Sequence, residues 1–514
     1  MIMLDIQQII PLFILIPLLG VFLLALLARK KNFNADLILF IIVFGLLLLS
    51  GYLFTFKTKS LLYVYCLAGW QLPEAITFIV DGLAAFFLLS VYLITFCIMV
   101  YSLRYIDNWK GKWKFYALFL LLLTGANGVI ISGDLFTLYL FMEVTAIASY
   151  ALFVFSLEAK ALAFGFKYMI KGVMASALIF LGIVVCYCFT STLALADIAN
   201  QLYLRQHIVS DPAMGCVVLF IQALFFLGLL LKSGIVPFNS WVSDINQAAL
   251  APGKAMLLAV IVPVLGIYPF LRIYFNIIGP NDQSLAIVRM FALAAMIGSM
   301  FWLYKTKSNN QGIAYHLINE FGLVILAMAT NTPWAIFGGF LQLLNAQITA
   351  ALVICNAGLI DYQAYPKQFS GQLKYSFKSR PIAFFNTIFS KLAFISFPPF
   401  LGFWSKLIII VAVWKAGYQV SALGAFLCVC LAVILFIKQQ RFLALNSRNR
   451  QPDLKLKKIK FSLAVSLSLM LGLCLGLNLL LAADYKEIFL KPAIETILST
   501  TKYSKAVFKA ENEK

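Results

Sequence analysis

Long apolar stretches follow one another closely along this chain, near residues 8–28, 35–56, 79–104, 114–132, 135–157, 164–190, 215–248, 251–275, 285–304, 313–330, 334–360, 383–416, 418–437 and 460–483. A bilayer core of roughly 30 Å takes about 20 apolar residues of α-helix, so each stretch can make a crossing and about fourteen crossings are expected. Strands of a membrane barrel would alternate apolar and polar residues over segments of about ten. These stretches are continuous and rich in Leu, Ile, Phe and Ala, the pattern of helices that satisfy their own backbone. The expected fold is an all-α polytopic membrane protein.

Composition excludes the soluble alternative, since 63% of the 514 residues are hydrophobic and only 12% charged. Lys and Arg total 40 against 20 Asp and Glu. In a soluble protein that excess would suggest nucleic acid, but here it gathers in the connections, so no nucleic-acid partner is expected. Connections after odd-numbered runs carry Arg29, Lys30 and Lys31; Lys110, Lys112 and Lys114; Lys305 and Lys307; Lys367, Lys374, Lys378 and Arg380; and the stretch from Arg441 to Lys460. Those after even-numbered runs hold few, such as Lys57, Lys59 and Arg205. The positive-inside rule then puts the odd connections in the cytoplasm and both termini outside, in a cell inner (cytoplasmic) membrane. The basic C-terminal tail runs against this, but Glu487, Glu495, Glu511 and Glu513 balance it. The nine cysteines lie almost wholly within apolar runs and the two C-x-C pairs turn to different sides of a helix, so no metal site, cofactor or disulfide framework is expected. No cleavable leader is expected either, because the opening MIMLDIQQ is not basic.

Two runs are too long for one straight crossing, and both contain proline. In Lys232-Ser-Gly-Ile-Val-Pro237 the proline ring removes a backbone donor and frees the Ser233 carbonyl. Pro398 and Pro399 do the same for the carbonyls of Phe394 and Ile395, with Lys391 upstream and Lys406 downstream. Broken helices with a lysine beside the break thus recur five runs apart. An odd offset reverses orientation, so the halves read as an inverted repeat with transport at the breaks; two ordinary proline kinks are the alternative.

A charge at membrane depth costs about 2.5–3.5 kcal/mol on insertion scales and calls for a partner or a function. Glu143 lies midway along the fifth run, out of reach of water. Lys167 and Lys171 share one face of the sixth, Lys167 close enough to its start to be an interfacial anchor. Lys232 follows the apolar FFLGLLL and, beside Glu143, would hold a proton that it releases when Glu143 moves away; a fixed structural ion pair is the alternative. His316 and Glu320 sit at i,i+4 beside Tyr315 in the tenth run, as a proton relay or as a hydrogen-bonded core pair. The eleventh run carries Gln342, Asn345, Gln347 and Thr349, which join helices or order water. Asn239, Trp241 and Asp244 follow the first break.

Several segments resemble the antiporter-like subunits shared by respiratory complex I, Mrp-type cation/proton antiporters and membrane-bound hydrogenases. DLFTLYLFMEVTAIASYALFVF is similar to that family's fifth-helix signature with its glutamate, and KYMIKGVMASALIFLGIVVCY to the helix that follows. LLLKSGIVPFNSWVSDINQAALAP resembles the lysine, proline, tryptophan and aspartate pattern, and FPPFLGFWSKL the break of the twelfth helix. The likeness covers roughly residues 75–410. It implies fourteen helices with an N-terminal segment at 1–110, inverted five-helix repeats at 111–275 and 285–437, a last helix and tail at 438–514, and a polar axis at mid-membrane. It makes Lys406 the exit-side residue of the second half, with Lys391 competing for that role or anchoring the helix at its cytoplasmic end. Departures bear on the axis. Val264 stands where the family has a basic residue before Gly266, Tyr268 and Arg272; Ala346 and Ala350 stand at positions of a histidine and a lysine; Asn239 replaces a histidine. Water ordered by Gln342, Asn345 and Gln347, with His316, would have to bridge the halves. The resemblance implies a non-catalytic subunit that moves protons or sodium ions beside other membrane subunits in the lipid bilayer. The alternative is a scaffold that keeps the fold and docks a catalytic partner.

Overall fold

A computed structural model describes residues 6–28, 30, 34–54, 62–70, 75–107, 109, 111–208, 212–364, 381–448, 461–482, 486–498, 504, 507 and 508. Most of the basic connections that set the expected orientation, including Lys31, Lys57, Lys59, Lys110, Lys367, Lys374, Lys378 and Arg380, lie outside the described residues. The chain is a helical membrane bundle, and among the described residues thirteen helices are long and apolar enough to cross a membrane. In order the helices are α1 (Leu12–Leu27), α2 (Ala35–Tyr52), α3 (Gly82–Tyr105), α4 (Lys112–Ile131), α5 (Leu135–Phe153), α6 (Ala159–Thr190), α7 (Pro212–Ser233), α8 (Ser240–Ala248), α9 (Ala251–Ile278), α10 (Asp282–Lys305), α11 (Asn309–Ala329), α12 (Pro333–Ala364), α13 (Pro381–Phe394), α14 (Leu401–Lys415), α15 (Gln419–Arg448) and α16 (Phe461–Gly476).

Both of the overlong runs are divided. The run read at 383–416 is two helices of 14 and 15 residues, α13 and α14, and the run at 215–248 is α7 followed by the nine-residue α8. Each break contains a cis X-Pro bond, Val236-Pro237 in one and Pro398-Pro399 in the other, and one left-handed residue, Gly234 or Ser396. At the first break the Leu231 carbonyl accepts the indole N–H of Trp241 at 3.1 Å and the N–H of Gly234 at 3.3 Å. The tryptophan therefore ties the far limb back to the near one.

Helices α9, α11 and α12 are buried throughout their apolar windows and form the centre of the bundle. α9 is built largely of wide π turns, at Met256–Ile261, Pro263–Ile267 and Arg272–Ile278. Pro263 and Pro269 remove two backbone donors and crowd the preceding turn, which favours the wider winding. Its end is clamped by Arg272, whose guanidinium makes two bonds to the Asp81 carboxylate at 2.5 and 2.8 Å and two to the Tyr268 hydroxyl at 3.0 and 3.2 Å. Asp81 also caps α3 through the N–H of Ala84 at 2.9 Å, as Asp134 caps α5 through Thr137 at 2.6 Å.

Asp81 ends a two-stranded antiparallel hairpin, β1 (Leu62–Cys66) and β2 (Thr77–Asp81), paired from Leu62 with Asp81 to Cys66 with Thr77. The hydrophobic pattern does not show this hairpin, because five residues are too few to stand out beside membrane runs. Two short helices are likewise absent from the pattern, Leu195–Ile208 and Lys491–Leu498; the second packs Pro492 against Gly82 at the start of α3.

Candidate functional site

In the first half, α5 carries Glu143 and α7 carries Lys232 as its next-to-last residue, two positions before the left-handed Gly234. The Lys232 ammonium donates to Glu143 Oε1 at 3.3 Å, and the Ser176 hydroxyl of α6 donates to the same oxygen. The two charges differ in exposure, with the lysine side chain at 4% and the glutamate at 29%. Lys232 lines a small cavity with Ala146, Tyr150, Tyr168, Gly172, Leu231, Trp241 and Leu265. Tyr168 stacks on Trp241 with ring centres 4.9 Å apart, so the first break forms one wall of the space around the lysine. Two lysines of α6 lie elsewhere: Lys167 is exposed over the ring of Phe164, and Lys171 donates to Ser240 on α8.

In the second half, α11 carries His316 and Glu320, and α14 carries Lys406. The Lys406 ammonium donates to Glu320 Oε1 at 2.6 Å. The amide of Gln342 on α12 donates to the other carboxylate oxygen, and the Ser405 hydroxyl donates to Gln342 Oε1 at 2.6 Å. Every member is buried, Lys406 at 5% and Glu320 at 2% of side-chain exposure. A separation of 86 residues hides the Glu320–Lys406 pair from sequence reasoning, which reaches only the i,i+4 neighbour His316.

Lys406 is enclosed by α11 and α12, while its neighbours Trp404 and Leu407 are 44% and 45% exposed on the other side of α14. Two expectations for this half are corrected. The Phe394 carbonyl is not free for water or an ion, because His316 Nε2 lies 3.0 Å from it, with the imidazole against the rings of Phe394 and Phe436. Gln342 is not available to bridge the halves, since both ends of its amide are engaged within the second. Lys391 on α13 is half-buried and lies outside the Glu320 cluster, forming no ion pair among the described residues.

The faces of α12 show what stands between the two pairs. Gly338 packs on Ile408 and Ile409 of α14, and Gln342 and Asn345 follow on that face toward Ser405 and Gly402. Gly339 packs on Ala327 and Met328 of α11, the line continued by Ala346 and Ala350. The third face meets the first half, with Phe340 against Phe86 of α3 at 4.7 Å and Gly358 against Ala251 of α9. Gln347 falls on that face, seven residues from Phe340 and eleven from Gly358. Its amide is fully buried, and neither end has a partner among the described residues. Across from it, α9 between Lys254 and Arg272 has one polar side chain, Tyr268, and Val264 is fully buried. Asn319, beside Glu320, is also buried with an unpartnered amide and is absent from the sequence reading.

The sequence family described as "NADH:quinone oxidoreductase/Mrp antiporter, TM" matches residues 132–434, well over half of the chain. The chain belongs to that family. A second description, "NADH-Ubiquinone oxidoreductase (complex I), chain 5 N-terminus", matches residues 71–116. Among the family's members, the chain is 26% identical over 378 residues to the N-type subunit of the NADH-quinone oxidoreductase of Desulforudis audaxviator, covering 73% of this chain and 74% of that one. It is 25% identical over 513 residues to the D-type subunit of the Na(+)/H(+) antiporter of Bacillus subtilis, covering 96% and 98%. A chain in the membrane-bound sulfane sulfur reductase, an archaeal respiratory membrane complex, superposes with a TM-score of 0.85 at 24% identity, covering 97% of this chain and all of that one. These likenesses account for the polytopic antiporter-like fold.

Proposed function

We propose that the chain moves protons as a membrane subunit of a larger energy-converting complex, with Glu143–Lys232 and Glu320–Lys406 as its two exchange sites. The observation that carries this reading is the placement of both pairs: each joins a glutamate to a lysine of a broken helix at membrane depth. A lysine held by one carboxylate changes its hold on a proton when that carboxylate moves or is neutralised. Protons fit better than sodium, because a carboxylate already matched by an ammonium offers no net charge to a metal cation. Lys391 and His316 take lesser parts, His316 because its Nε2 proton is shared between the Phe394 carbonyl and Glu320, 3.4 Å away. Lys167 serves as an anchor at the membrane interface.

Association with other membrane subunits is supported by the setting of Glu143. Phe136, Leu140, Glu143 and Ile147 form one outward stripe on α5, in which the three apolar residues are exposed. A carboxylate in an otherwise lipid-compatible stripe is costly unless another protein covers it. We place the complex in the cell inner membrane with both termini outside, on the distribution of basic residues.

The scaffold reading keeps one specific support, the apolar α9 between the pairs. Proton uptake into vesicles carrying the intact complex separates the two. Glu143→Gln and Lys232→Ala are each expected to lower uptake by about ten-fold or more with native-gel assembly unchanged. Lys232→Arg is expected to do the same, because a guanidinium keeps its proton. Normal uptake in these variants would leave the scaffold.

A further inference from the structure

An ammonium has three N–H donors, and Lys232 gives one of them to Glu143; the other two have no partner among the described residues. The side chain is 4% exposed, so those donors carry a desolvation cost that the carboxylate alone does not meet. Lys232 also borders the small cavity, which leaves about 10 Å³ of room for the centre of a water molecule. Two other polar groups on its wall are already engaged, the Tyr168 hydroxyl with Ser149 at 3.0 Å and the Trp241 N–H with the Leu231 carbonyl. Tyr150 is different, because its hydroxyl makes no hydrogen bond among the described residues. Helical spacing sets that hydroxyl beside the first site. Ser176, Gly172 and Tyr168 follow one another at four-residue steps on one face of α6, and they meet the Glu143 carboxylate, the Tyr150 hydroxyl and Ser149 of α5 in the same order. The Tyr150 hydroxyl therefore stands one turn from the carboxylate. Gly172 gives it room, since a Cβ there would fall on the hydroxyl itself. The ring is held edge-to-face on Tyr168, with centres 4.9 Å apart.

We propose that Tyr150 is a positioning residue of the first site, which holds one water in this cavity as the second partner of Lys232. The room suits a single water, and a buried water asks for two to four polar partners. Lys232 donates to the water oxygen, and the water donates in turn to the Tyr150 oxygen, which fixes the water with a lone pair toward the lysine. A metal cation is excluded by the ammonium on the cavity wall. The consequence for transport rests on the proposed function. When Glu143 moves or is neutralised, the ammonium keeps a partner on its other side, and that partner leads away from the carboxylate. A bridging water serves nearly as well as a direct hydrogen bond, so the lysine is not left bare in an apolar site. In this arrangement Glu143 is the movable partner and the water at Tyr150 the fixed one.

Cryo-electron microscopy of the whole complex, at a resolution that shows ordered water, should reveal density within hydrogen-bond reach of both Lys232 Nζ and Tyr150 Oη. An empty cavity, or density that touches the lysine and not the tyrosine, would overturn the site. Tyr150→Phe keeps the ring on Tyr168 and removes the acceptor. The density should then be lost with Glu143 and Lys232 still paired, and proton uptake by vesicles carrying the complex should fall about three-fold or more, the worth of one hydrogen bond. Tyr150→fluorotyrosine keeps the ring and the hydroxyl but weakens the oxygen as an acceptor, so its uptake should lie between the natural protein and Tyr150→Phe. Uptake equal to that of the natural protein in both variants would reduce Tyr150 to packing and overturn its role. The outcome is separable from that of the proposed function. Normal uptake in Lys232→Ala would overturn the exchange site and leave the water standing on its density, whereas reduced uptake there with unchanged uptake in Tyr150→Phe would overturn the positioning role alone.

Discussion

The two Glu–Lys pairs share their chemistry and differ in almost everything around it. Glu143 and Lys232 are 3.3 Å apart, with the carboxylate partly open on the flank of the bundle; Glu320 and Lys406 are 2.6 Å apart and closed in by Gln342 and Ser405. Under the inverted repeat that we propose, the glutamates come from corresponding helices of the two halves, α5 and α11. The lysines come from opposite limbs of their broken helices, Lys232 five residues before Pro237 and Lys406 seven residues after Pro399. The residue seven after Pro237 is Asp244, an acid where the second half has its base. Such a repeat supplies the scaffold for both sites without fixing which limb carries the charge. What the difference teaches is that one pair is placed to respond to a neighbouring molecule, the other only to its own interior.

The comparison breaks most sharply on stability. Removing one member of a sealed pair leaves an uncompensated buried charge, so Lys406→Ala is expected to destabilise the protein by ~3–5 kcal/mol, and Lys232→Ala by less, because Glu143 is the more open of the two carboxylates. Lys406→Met combined with Glu320→Gln should recover most of that loss, as thermal unfolding of the purified complex would show. Equal losses at both lysines would mean that the pairs are equally enclosed. Transport tests the second half from another side: Lys406→Ala should lower proton uptake by about ten-fold and Lys391→Ala leave it within about two-fold, the reverse result transferring the role to Lys391. Access comes next. A hydrophobic carbodiimide should modify Glu143 in the isolated chain and spare Glu320, and assembly with the partner subunits should protect Glu143; modification of Glu320 first would contradict the sealed geometry. The smallest effect belongs to the first break, where Trp241→Phe loses only the bond to the Leu231 carbonyl, an expected ~1 kcal/mol in the same unfolding measurement.

Much of this is legible in the sequence, for reasons that also set the limit. Crossing helices announce themselves by length and apolarity, and each buried charge stands out against such a background, so Glu143, Lys232, Glu320 and Lys406 all come forward as single residues. Helical spacing links His316 to Glu320, but nothing local joins α11 to α14, and the second pair becomes visible only in three dimensions. The hidden polar groups are a different case. Asn319 and Ser396 look ordinary in sequence, and their burial without partners depends on packing. In α9 the apolar pattern is unbroken, so periodicity carries no information about its winding.

That winding matters for comparing α9 with its relatives. A π turn accommodates one residue more than an α turn, so counting along the span from a fixed end can misjudge which side chain faces the middle of the bundle by a position or more. For Val264 the ambiguity has no consequence. From Met256 to Leu271 the chain contains neither lysine, arginine nor histidine, and the flanking basic residues are Lys254 and Arg272, the latter already locked to Asp81. Whatever register this helix takes, no slippage can bring a titrating base to the seam. The apolar stretch between the two pairs is written in composition, and an engineered base tried at successive positions along α9 would locate which of them faces the middle of the bundle.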